Sequence, residues 1–86
     1  MSKTVDFRTI GIKNIEGHLE TADVSKQLGN LMYMQGQNIE ECELGRDIYH
    51  KGQVELNQKQ EDVVRRFIQP WSYVLRSAIE ETLRND

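Results

Sequence analysis

Glu40, Glu41, Glu43 and Asp47 are the densest set of chemically capable side chains in the sequence, and Glu40, Glu43 and Asp47 follow an i, i+3, i+7 spacing that puts them on one helix face. Carboxylates gathered in this way could work as a general acid and base or hold a divalent ion. Either task needs partial burial or further ligands. No histidine or aromatic residue accompanies this face, so a solvated acidic surface is the simpler reading, and a basic partner is what it would meet. The sequence leaves open which of the two applies.

The other reactive types are sparse. His18 and His50 are the only histidines, and neither sits in an HExxH, a CxxC or any paired ligand spacing. His50 instead suits the negative end of a helix dipole. Cys42 is the single cysteine, so no intramolecular disulfide and no cysteine-based zinc framework can form. With no GxSxG elbow and no histidine near it in sequence, Cys42 reads as a small core residue rather than a nucleophile. The glycines at 11, 17, 29, 36, 45 and 52 form neither GxGxxG nor a P-loop. Gly29 and Gly45 interrupt helical patterns at about 1 kcal/mol each relative to alanine, which predicts a close approach of two helices. No catalytic, cofactor-binding or metal-ligating residue is assigned, and the chain reads as a non-enzyme without a cofactor.

Two further groups concern binding. Arg65, Arg66, Arg76 and Arg84 could form a basic ridge for DNA, but Glu61, Asp62, Glu80 and Glu81 interleave with them. The spacings Arg76–Glu80 and Glu80–Arg84 suit i, i+4 ion pairs on a solvated helix surface. A weak DNA-binding regulator is therefore the alternative reading, not the first. Phe67, Trp71 and Tyr73 lie within seven positions, with Arg76 close behind, and aromatics and arginine are the residues enriched at interface hot spots. Phe67, Trp71, Tyr73 and Arg76 form the candidate interface. Core packing is the competing explanation for the aromatic ones.

Elements must position these residues, and the chain offers them in a readable order. Val5, Phe7 and Thr9 alternate with Asp6 and Arg8, whereas Ile10 and Ile12 take the other parity, which predicts a bulge or a change of face with Gly11 as the easiest place. Asn14–Gly17 supplies a turn, so residues 4–24 read as an antiparallel hairpin. Ser25 stands as a cap before Leu28, Leu31 and Met32, giving a helix over 25–36. Asn38 caps a second helix over 39–51, acidic in its first turn and ending in His50 and Lys51 before Gly52. Gln53–Leu56 alternates and could add a third strand to the hairpin. Asn57 and Gln60 form a capping box for a third helix over 57–68. Pro70 breaks that helix and suits the first turn of a fourth, over 70–84, whose stripe is Trp71, Val74, Leu75, Ala78, Ile79 and Leu83.

The bulk numbers agree with one small α+β domain over 1–86, a hairpin packed by three or four helices. At 86 residues the chain can bury roughly 64% of its unfolded surface, enough for one core. It is 37% apolar and 29% charged, with a net charge of −3, which argues against a general nucleic-acid binder. The first residues lack the apolar stretch of a secretory signal, and the longest apolar run, Leu31–Met34, is too short to cross a membrane. A cytoplasmic, membrane-free protein is expected.

Val5-Asp6-Phe7, then Asp23–Asn30, then Ile48–Gly52, then Val54–Asn57 give an order of parts that resembles small accessory proteins of bacteriophages and bacterial mobile elements. The resemblance implies an origin and a binding role, and it carries no functional residue over. The sequence therefore reads as a protein that works by binding another protein, with a homodimer as one form of that binding.

Overall fold

A computed structural model of the chain describes residues 2–84. The element order is β1 (Lys3–Asp6), β2 (Ile10–Lys13), β3 (Leu19–Ala22), α1 (Ser25–Gln35), α2 (Ile39–Lys51), β4 (Gln53–Leu56), α3 (Gln58–Ile68) and α4 (Tyr73–Arg84). The α+β class holds, but the strands form two separate antiparallel pairs, β1 with β4 and β2 with β3. The hairpin is thus shorter than the expected span 4–24.

Asp6 explains the split. Its carboxylate accepts from the Arg8 backbone N–H at 3.0 Å and from Arg8 Nε at 2.9 Å, an Asx-type turn that ends β1. The change of parity therefore happens in the turn after Asp6 rather than at Gly11, and Val5, Phe7 and Ile10 all reach the core. The true hairpin is closed by Asn14, whose side-chain oxygen accepts from the N–H groups of Glu16 and His18 at 3.0 Å each, with Gly17 at φ 87°. Gln53–Leu56 is a strand as the alternation suggested. It joins β1, not the hairpin, because the register Val5 to Val54 sets both valines on the buried face.

The helix boundaries show two further departures. Ser25 is not a cap: it lies inside α1, and its N–H and Oγ both donate to Asp23 Oδ1, at 3.0 and 2.6 Å. The fourth helix begins at Tyr73 rather than at Pro70, since Ser72 Oγ accepts from the Leu75 N–H at 3.4 Å and the Trp71 N–H turns back to Ile68 O at 3.0 Å. Elsewhere the caps are as read. Asn38 accepts from the Glu41 N–H at 2.9 Å, and Asn57 and Gln60 exchange bonds of 2.8 and 2.9 Å.

One apolar cluster joins these elements, with Phe7, Ile10, Leu28, Met32, Ile48, Leu56, Ile68, Ile79 and Leu83 fully buried. Gly36 separates α1 from α2, which run antiparallel, and α4 lies on β2. Among the described residues no helix is long and apolar enough to cross a membrane.

Candidate binding surface on α1 and α2

The two helices meet at glycine. A Cβ on Gly29 would lie 2.6 Å from both the Gly45 carbonyl oxygen and the Tyr49 amide nitrogen, and one on Gly45 would lie 2.7 Å from the Gly29 carbonyl oxygen and the Tyr33 amide nitrogen. The expected close approach is present, and its geometry is reciprocal. Each glycine faces the turn of the other helix that carries a tyrosine four positions beyond the opposing glycine. The same spacing, Gly-x-x-x-Tyr, occurs at 29–33 and at 45–49.

Because the backbones touch, the two tyrosines flank the contact instead of filling it. Tyr33 and Tyr49 are 47% and 38% exposed, which sets Tyr49 outside the core despite its place beside Ile48. With Gly29, Asn30, Arg46 and His50 they line a hollow of about 260 Å³. A second, shallower hollow continues from Asn30 and Tyr49 along α1 past Lys26, Leu31 and Met34 to Trp71. The shared residues make one continuous surface. Its cations lie against its rings: Lys26 Nζ is 4.2 Å from the centre of the Tyr49 ring, and the Arg46 guanidinium carbon is 5.7 Å from that of Tyr33. Lys26 Nζ also donates to the Tyr49 carbonyl at 2.9 Å, which holds it at the seam. His50 stands edge-on to Tyr49 at 5.2 Å.

Among the described residues no carboxylate lines either hollow. The acidic groups are elsewhere: Glu40, Glu43, Asp47 and Glu55 line a separate groove between α2 and β4. Comparison of the chain with protein-family models, with curated proteins and with solved structures finds no match. The reading of this surface therefore rests on its own chemistry.

The residues singled out in the sequence are distributed unevenly around it. Trp71 is half-buried against the core and closes one end of the surface, while Tyr73, at the start of α4, is 74% exposed beside Val74 at 55%. Phe67 is a correction: only 9% of it is exposed, so it is a core residue under α3. Arg76 folds back to donate to the Gln69 carbonyl at 2.9 Å, its guanidinium carbon 6.0 Å from the Tyr73 ring centre. Arg65 pairs with Glu80 at 3.0 Å and with Asp62 at 3.2 Å, and Arg66 pairs with Glu41 at 2.5 Å. Glu80 thus ties α4 to α3 instead of forming the expected pairs with Arg76 and Arg84. Cys42, expected in the core, is only half-buried and lies beside Gly36. The buried position next to it belongs to Glu41.

Glu41 shows what a carboxylate does here when it is enclosed. The Gln37 backbone N–H donates to it at 3.0 Å and is the main reason its carboxyl is held below its ordinary value of 4.5, with Arg66 assisting and burial opposing. Asp6 and Asp23 are likewise lowered, by the hydrogen bonds from Arg8 and from Ser25. All three act as local clasps on turns and helix starts. Among the described residues no group of three or more histidine, cysteine or acidic side chains is placed to hold a metal ion.

Proposed function

We propose that this protein acts by binding another protein, through the surface that runs from Tyr33 and Arg46 across Tyr49 to Trp71. The observation that carries the reading is the continuity of the two hollows through Asn30 and Tyr49, which sets three aromatic side chains on one accessible face. Aromatic rings add contact area with few rotatable bonds, and tyrosine, tryptophan and arginine dominate interface energetics. The arginines of the last two helices support the DNA-binding alternative less well, because Arg65, Arg66 and Arg76 are engaged within the chain. A cytoplasmic accessory protein of a phage or mobile element is the setting that the resemblance in the sequence suggests.

The test is partner recovery from the native host with tagged full-length chain. Tyr33→Ala combined with Trp71→Ala should remove the recovered protein, while Glu40→Ala combined with Glu43→Ala, in the groove between α2 and β4, should leave it. Equal recovery by both double variants would contradict the reading. Light scattering on the pure protein decides the homodimer form, which predicts a mass twice that of the chain, restored to one chain by Trp71→Ala.

A further inference from the structure

The surface just described has a charge opposite to that of the molecule, and this says what it is suited to meet. The chain carries 14 acidic residues against 11 lysines and arginines, yet among the described residues no carboxylate lines either hollow. Two cations, Lys26 and Arg46, stand there beside the His50 ring. Of the acidic side chains nearest in sequence, Asp23 accepts from Ser25 and also lies in the field of Lys26, Asp47 pairs with Lys51 at 3.9 Å, and Glu43 lines the groove between α2 and β4. Arg46 makes no ion pair among the described residues, in contrast to Arg8, Arg65 and Arg66, which all do. An exposed guanidinium lying over a tyrosine ring, next to a concave floor of glycine backbone, can take a carboxylate while the rings receive the neighbouring side chain.

We infer that the partner presents an acidic segment, carboxylates alternating with aromatic or large apolar side chains, and that one of the apolar side chains enters the hollow lined by Gly29, Tyr33 and Tyr49. The inference rests on the protein-binding reading and specifies its partner. The hollow beside Gly29, about 260 Å³, has room for one anchoring side chain, and the more open hollow that continues it to Trp71 can lie under the flanking residues of the same segment. Single-stranded nucleic acid shares the need for rings and cations. It also needs a cationic track for successive phosphates, which so few cations on an acidic protein do not make.

An unbiased selection of random peptides on the full-length chain, followed by amide shift mapping with a synthetic peptide of alternating glutamate and tyrosine, tests this directly. Acidic peptides should be enriched, and the synthetic peptide should shift the amides of Asn30, Tyr33, Arg46, Tyr49 and His50. Its affinity should fall about tenfold or more in Arg46→Glu and several-fold in Arg46→Met, which keeps the stem over Tyr33 and so separates charge from packing. Added salt should weaken it. Enrichment of basic or neutral peptides that shift the same amides would overturn the acidic assignment and leave the protein-binding reading standing. Enrichment of no peptide, together with no shift, would overturn both. Preferential binding of oligothymidylate at these amides, or self-assembly that buries them, would overturn the inference in favour of nucleic acid or of a second copy.

Discussion

Gly29 and Gly45 are in backbone contact: each would place a Cβ within 2.6–2.7 Å of the other's carbonyl oxygen. The contact decides where Tyr33 and Tyr49 stand, because helices that touch along glycine cannot also interleave large side chains there. Alanine at Gly29 or Gly45 must push the helices apart, and the cost of overpacking, about 1–3 kcal/mol and more where backbone is the obstacle, exceeds the gain of about 1 kcal/mol in helix propensity. Urea unfolding should show a net loss of about 1–2 kcal/mol for each variant. Gly11→Ala is the control, since its Cβ would meet only Leu19 Cδ1 at 3.4 Å.

Glu41 makes stability depend on acid. Its carboxyl is held below the ordinary value of 4.5 in the folded chain, so its contribution is fully present above that value and is lost as the pH falls through the lower folded value. Asp6 and Asp23 add dependence of the same sign. Glu41→Gln should lower stability by about 1 kcal/mol at neutral pH and flatten, without abolishing, the decline below pH ~4.5. Thermal melts of both proteins across pH 2–7, read against that ~4.5 reference, check the slope.

Arg65 bridges α3 and α4 through Glu80 at 3.0 Å, and it lies 3.6 Å from the buried Glu61. A double-mutant cycle with Arg65→Met and Glu80→Gln should give a coupling of about 0.5–1 kcal/mol, as for a partly exposed pair in a network. Arg65→Met alone should cost more than Glu80→Gln alone, because among the described residues it also leaves Glu61 with Lys3 as its remaining close cation, at 3.9 Å. Equal costs would place Glu61 outside the network.

Much of this arrangement was legible from local chemistry. Asn38, Asn57 and Gln60 announced helix starts because a side-chain oxygen three residues from an orphan N–H is a short-range device that tertiary contacts rarely override. The hairpin was overextended because the Asx turn at Asp6 looks in sequence like one more polar position of an alternating strand, and strand pairing such as β1 with β4 is long-range. The binding surface was half legible. Of the four residues that composition singles out, Trp71 lines this surface, Tyr73 and Arg76 are not in its lining, and Phe67 shares the aromatic character but points into the core, a distinction that only packing decides. Tyr33, Tyr49 and Arg46 were missed. The signal that points to the two tyrosines is the repeated Gly-x-x-x-Tyr at 29–33 and 45–49, which says that two helices touch and names the rings displaced to the rim, while nothing in the spacing marks Arg46.

The central claim is that the face from Tyr33 to Trp71 is where a partner sits, and site-specific photo-crosslinking in the native host measures it most directly. A photoreactive phenylalanine analogue replacing Tyr33 or Met34, both exposed on α1, should yield the same discrete adduct to a partner protein. The analogue replacing Ile39, as exposed as Met34 but lining the groove between α2 and β4, should yield none. Adducts of equal strength from all three positions, or adducts from Ile39 alone, would contradict the account.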